Sequence, residues 1–540
     1  MKRNFLIGSF LLIISNLIAK LLGAFYRIPL SNMIGAEGIG IYQMIFPIYA
    51  LLLVLSSSGF PIAISKLISS SRAQGNTKKI KKIFLASFIL LFGFGLVFSV
   101  LILIFAKQIA LLQGNVLATS GYLVIAPALL LSCLVACFRG YFQGYENMAP
   151  TAISNIIEQT FKLVVGLFLA YTLLPKGIEY GVMGAIIGVT IGELITLIFL
   201  TILYLIKRKK YIKEEFIKKE NNNLVLLNPV VLDTNDNLKN IFKEVIKIAI
   251  PITLGSIIIP FITFIESFII VNLLMYKGYS NSSATTLFGL FTGMVTPLIN
   301  FPTIFSLSIG TAIIPAISFK LEKKDTDLNS KINFALKIVF LLAFPSFIGM
   351  LIFAPQIINL FFLNGHGAVN GDEIMIASYL LEISAINVFY LCFFQICTSI
   401  LQGFGKYYKP VKNLLIFGII KLILMVLLML FTNLNIYAVA ISNCVAYCVA
   451  TILIIKDLNK ITKINIDFKC VLKMFVSSCI MAVLGLSING LLEKLMGANL
   501  AFLLSVIISV GIYILMLFLL KTLTKDEVKE FPLLNNLVKD

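Results

Sequence analysis

Lys20 and Arg27 stand seven residues apart in an otherwise apolar run, a spacing that puts two cations on one face of a helix. An ionisable side chain inside a hydrocarbon layer is costly and usually faces a cavity or a partner. Two such cations on one face would hold phosphate or another anion. Each also has a second reading. Arg27 lies near one end of its run, where its stem could snorkel to the interface. Lys20 lies nearer the middle, where an acid on a neighbouring helix could pair with it.

Four more residues join them as candidates for a transport cavity. Glu266 sits deep in a later apolar run and either pairs with the first-helix cations or takes a coupling sodium ion or proton. Glu158 and Lys162 are i, i+4 on one helix, and so form either a self-satisfied pair or part of the cavity. Lys421 is the fourth, with Glu193 and Glu382 behind it, whereas Lys66 reads as an interfacial anchor. The balance is basic, which favours an anionic cargo.

Other chemistries have little material. The only histidine is His366, and the eight cysteines lie in or near apolar runs with no CxxC spacing, so they read as packing residues and no metal site or cofactor is expected. Lys and Arg outnumber Asp and Glu by 44 to 25, yet the basic residues fall in short clusters between apolar runs. That is the pattern of loops facing anionic lipid rather than nucleic acid. A membrane glycosyltransferase would want catalytic carboxylates on an external loop, and the longest one, 354–373, offers only His366, Asp372 and Glu373. The chain is therefore not expected to be an enzyme.

The elements that must position these residues are membrane helices. Hydrophobic residues make up 59% of the 540 positions and charged ones 13%, too few to coat a soluble domain. Fourteen apolar spans are predicted at 5–30, 39–67, 83–106, 116–142, 150–174, 180–206, 244–275, 284–318, 332–354, 374–402, 409–432, 435–456, 470–491 and 498–521. The first, after Lys2-Arg3, lacks a small-residue cleavage site and reads as a retained helix. Loop charge alternates along this series, with Arg139 counted among the inside charges, and places both termini in the cytoplasm.

A basic linker, 207–240, joins a six-helix half (1–206) to a second (241–456), and helices 13 and 14 with a tail follow (457–540). The halves echo each other. Gln143-Gly144 precedes Lys162 by the offset at which Gln402-Gly403 precedes Lys421, and Ala63-Ile64-Ser65 matches Ala316-Ile317-Ser318. The expected fold is thus all-α and integral to the membrane, two parallel six-helix repeats with cargo bound between them. Breakers gather at Ser56–Pro61, at Pro251 and Pro260, and at Thr292-Gly293 with Pro297 and Pro302.

The runs Ala19-Lys20-Leu21-Leu22-Gly23-Ala24-Phe25-Tyr26-Arg27 and Gly35-Ala36-Glu37-Gly38-Ile39-Gly40 resemble the stage V sporulation protein B and polysaccharide-export family. So do Gly59-Phe60-Pro61-Ile62-Ala63-Ile64-Ser65-Lys66 and Ile314-Pro315-Ala316-Ile317-Ser318. The family belongs to the multidrug/oligosaccharidyl-lipid/polysaccharide flippase superfamily, alongside the lipid II flippases. The resemblance implies a monomeric flippase of the bacterial cytoplasmic membrane that carries an undecaprenyl-pyrophosphate-linked saccharide, with a drug or cation antiporter as the alternative. It makes Lys20 and Arg27 the basic first-helix residues. It also implies arginines in helices two and eight, whereas 47–53 and 292–302 contain none. Relatives that bind sodium use acids of helices seven and eleven. Here Glu266 stands in the first place and Lys421 in the second, its charge in place of the ion.

Overall fold

The structure is a computed structural model that describes residues 2–222, 237–322, 328–362, 371–462 and 467–522. These residues hold eighteen α-helices and no strand. The first six are α1 (Lys2–Ser57), α2 (Phe60–Ala73), α3 (Thr77–Leu112), α4 (Ala118–Gly144), α5 (Ala149–Leu173) and α6 (Ile178–Asn222). Next come α7 (Leu238–Ser256), α8 (Ile258–Tyr276), α9 (Asn281–Gly289), α10 (Thr296–Asn300), α11 (Thr303–Glu322) and α12 (Leu328–Ile352). The last six are α13 (Ala354–Phe362), α14 (Gly371–Gly403), α15 (Tyr408–Phe431), α16 (Tyr437–Asn459), α17 (Phe468–Glu493) and α18 (Ala498–Leu519).

Thirteen of the described helical runs are long and apolar enough to cross a membrane. The first of them, Ile14–Ala73, is 60 residues long, about three times a single crossing, and takes in the first two predicted spans. It is broken at Gly35, whose φ of 71° and ψ of −178° belong to a region open almost solely to glycine. The turn is tight, since a methyl group at Gly38 would lie 2.8 Å from the Ile34 side chain. The protein is a multi-pass membrane protein, and its apolar exterior, with residues such as Phe168, Ile206 and Leu519 exposed, is the surface lipid would cover.

Most of the predicted breakers lie at or beside helix breaks, whereas Pro251 stays inside α7. α1 stops at Ser57, and α2 restarts at Phe60 with Pro61 in its first turn, where a missing N–H costs nothing. The seventh span divides into α7 and α8 between Ser256 and Ile258. The eighth divides further, into α9, a π-helical turn at Leu290–Val295, α10 and α11.

α6 continues through the Lys-rich beginning of the basic linker to Asn222, and 223–236 lie outside the described residues. Two expectations are corrected. The external loop at 354–373 begins with the helix α13, while His366 lies outside the described residues. Arg139 is no loop charge but sits within α4.

By internal contacts the chain forms two compact units, one holding the described residues up to Met294 and the other those from Val295 on. In the first, α8 and α9 pack on the second half of α1. Gly40 and Gly289 come so close there that a methyl group on either would strike the other helix's backbone. Gln43 Nε2 donates to Thr292 O at 2.6 Å along the same seam. Inside each unit the Gln-Gly pair ends a helix against a small surface. A methyl at Gly144 would meet Ile68 of α2 at 2.7 Å, and one at Gly403 would meet Ile317 of α11 at 2.9 Å. None of the eight cysteines forms a disulfide; Cys133, Cys137, Cys392 and Cys397 are buried and the other four half-buried.

Candidate functional site

In the first unit, α1 carries Asn16, Lys20, Gly23 and Arg27 along one stripe. That stripe faces α5. Asn155 Nδ2 donates to Asn16 Oδ1 at 2.9 Å, and a methyl at Gly23 would stand 3.7 Å from Gln159 Oε1. The facing stripe of α5 continues through Glu158 and Lys162 to Gly166.

α6 supplies the third side through its glycines. Gly184, Gly188 and Gly192 recur every four residues, so one face of the helix has no side chains. A methyl at Gly188 would lie 2.3 Å from Gly166 Cα and 2.9 Å from Lys162 O, and one at Gly192 would lie 2.8 Å from Glu158 O. The two backbones therefore touch, and this close approach brings Glu193, next to Gly192, alongside Glu158 and Lys162. α4 supplies the fourth side with Ser132 and Arg139, also seven apart.

The charges are distributed unequally. Arg139 donates through Nη2 to Glu158 Oε2 and through Nε to Ser154 Oγ, both at 2.9 Å. Lys162 has no such pair. Its Nζ lies 4.8 Å from the Phe46 ring centre and 5.5 Å from that of Tyr26. A desolvated cation over an aromatic face gains about 2 kcal/mol. Those rings belong to a row on α1, Tyr26, Tyr42, Phe46 and Tyr49, with successive centroids 6.3, 4.6 and 5.9 Å apart. Tyr26 Oη donates to Ala185 O at 3.2 Å, and Tyr49 Oη and Ser132 Oγ share a hydrogen bond of 3.1 Å. Arg27 is half-buried within electrostatic reach of Tyr26, Tyr42 and Lys162.

Glu193 is the deepest member at 5% exposed. It faces Ser132, Glu158, Arg139 and Lys162, and its Oε2 has no hydrogen-bond partner. The cluster thus grades inward, from four half-buried charges to one buried carboxyl, with Lys20 exposed farther along α1.

The predicted residues are brought together only in part. Arg27, Glu158 and Lys162 share this cluster, while Lys20 lies exposed farther along the same face of α1. Glu158 does not pair with Lys162 one turn along its own helix, because the Arg139 fork reaches it from α4 while Lys162 turns to the rings. Glu266 is buried in α8 of the same unit, and neither Lys20 nor Arg27 forms an ion pair with it. Lys421 is buried on α15 in the second unit, 5.7 Å from the Phe417 ring centre. Glu382 lies half-buried on α14. The sequence reading missed Arg139, and the paired spacing Ser132–Arg139 on one face of α4 was the signal that could have found it.

Known proteins share the chain's plan. It is similar to stage V sporulation protein B of Bacillus subtilis (strain 168), 26% identical over 543 residues that cover 99% of each chain. It is also similar to the lipid II flippase MurJ of the same organism, 25% identical over 442 residues, 78% of this chain and 77% of that one. Among solved structures, lipid II flippase MurJ in an inward closed conformation superposes with a TM-score of 0.68 at 17% identity, covering 95% of this chain and 98% of that one. An inward-facing multidrug resistance MATE family transporter gives 0.62 at 15%, covering 82% and 96%. At such identities both structures bear on the fold alone. Residues 5–321, more than half of the chain, match the family described as polysaccharide biosynthesis protein, and the chain belongs to that family.

Proposed function

We propose that this protein is a flippase that carries an undecaprenyl-pyrophosphate-linked saccharide, lipid II-like or a polysaccharide unit, across the cytoplasmic membrane by alternating access. The observation that carries the reading is the division of charge in the first unit. Arg27, Arg139 and Lys162 gather against two acids, and Arg139 is already held by Glu158. Arg27 and Lys162 are left to hold an anion, Arg27 as a fork and Lys162 as a point charge, which suits a pyrophosphate. Of the aromatic row beside them, Phe46 is half-buried and offers a flat face to a sugar or an isoprenoid chain, while Tyr26, Tyr42 and Tyr49 are buried. The sequence relative named as a lipid II flippase supports the same cargo class. In this reading both termini are cytoplasmic, the chain works as a monomer without catalysis, and a cation drives the cycle.

Complementation tests it. A strain depleted of its lipid II flippase is expected to grow when it expresses this chain, and to stop growing with Arg27→Ala or Lys162→Ala at unchanged protein level. Growth with both variants removes the cationic site from the account. Dye efflux by the parent chain, without complementation, would replace the flippase with the drug antiporter.

A further inference from the structure

Glu193 is a carboxyl whose position the flippase reading does not use. It is buried on α6, yet its Oε2 accepts no hydrogen bond. An ionised carboxylate has about four lone-pair sites to fill, and leaving one buried and unfilled is costly. A protonated carboxyl has no charge to satisfy. The groups facing it are Tyr49 from α1, Ser132, Cys133 and Arg139 from α4, and Glu158 and Lys162 from α5. This set suits a proton better than a metal ion. Hard cations want several oxygen donors, and here Glu158 is taken by Arg139 while a second cation, Lys162, stands close by.

We propose that Glu193 is a proton-binding site, and that the Arg139–Glu158 ion pair is the switch that fills and empties it. With the proton on Glu193, Arg139 stays on Glu158, and Lys162 and Arg27 are both free for an anionic head group. When the Glu193 O–H bond breaks, the proton passes to water and the carboxylate keeps the electron pair. Arg139 then moves to Glu193, and Lys162 turns from the rings to Glu158, one turn away on its own helix. Two carboxylates now hold two cations, and the anion site has lost one charge. Proton and anion therefore favour each other's binding, as reciprocal linkage requires. This deepens the flippase reading by naming the coupling cation and its place, apart from Glu266.

The test is infrared difference spectroscopy on the full-length protein in lipid nanodiscs, acid minus alkaline, without cargo. Its outcome does not depend on whether the cargo is correctly named. A protonated-carboxyl C=O band that exchanges slowly with deuterium is expected in the parent chain and lost in Glu193→Gln. It is also expected to be lost in Glu158→Gln, because that change frees Arg139 to ionise Glu193. The second variant keeps the test open should the first fold poorly. A band that survives Glu193→Gln overturns the site. A band lost in Glu193→Gln but kept in Glu158→Gln overturns the switch.

Discussion

Arg139 has the most to lose from a single substitution. Its guanidinium satisfies Glu158 and Ser154 at once, from a helix facing both. Hydrogen bonds to charged groups contribute roughly 1.5–3 kcal/mol. Arg139→Ala is therefore expected to lower thermal stability in detergent by about 2 kcal/mol. Arg139→Ala with Glu158→Gln should recover part of that loss, because the double change leaves no unpaired carboxylate. Losses that simply add would show that the pair carries no coupling. Sequence reading found Lys20, Arg27, Glu158 and Lys162 because a charge in an apolar run is conspicuous. It left Glu158 open between a pair with Lys162 and a place in the cavity, because spacing along one helix cannot say which other helix lies opposite. That information resides in the contact of α4 with α5.

At the scale of elements, glycine decides the site's shape. Gly35 breaks the first long helix at a backbone conformation that side chains resist, at a cost of roughly 1–3 kcal/mol for any other residue. Gly188 has a different task. The Gly166 backbone fills the space a side chain would need, so the α5–α6 distance, and with it the placing of Glu193 beside Glu158, depends on that bare surface. Gly188→Val is expected to spread the helices and to abolish growth in complementation even where folded protein is recovered. Gly188→Val with full activity would mean that the cluster tolerates a looser geometry than the ion pair suggests. The spans themselves were legible, since apolar length and loop charge are written in order along the chain. Their segmentation was legible only as breakers. Proline and glycine mark where a helix can end, but whether the ends continue as π-helix, α-helix or turn is set by what packs beside them, as Gln43 does against Thr292.

For the molecule as a whole, the basic cluster belongs to one unit, built by helices that meet through small residues and surrounded by a lipid-facing apolar surface. The echo between the two six-helix halves was read from two Gln-Gly pairs, two lysines and the match of Ala63-Ile64-Ser65 with Ala316-Ile317-Ser318. Each Gln-Gly pair closes a helix against its own unit's neighbour, and each lysine lies over an aromatic ring. The two lysines differ, however, in surroundings. Lys162 stands among Arg27, Glu158 and Glu193, whereas Lys421 is buried on α15 over the Phe417 ring. The charges around Lys162 favour a cargo head group held by the first unit. The most direct measurement is flipping of a fluorescent undecaprenyl-pyrophosphate disaccharide in vesicles containing the purified chain. The account predicts protein-dependent translocation that Arg27→Ala with Lys162→Ala removes and Lys421→Ala lowers less. Translocation unchanged by Arg27→Ala with Lys162→Ala, in correctly folded protein, would contradict it.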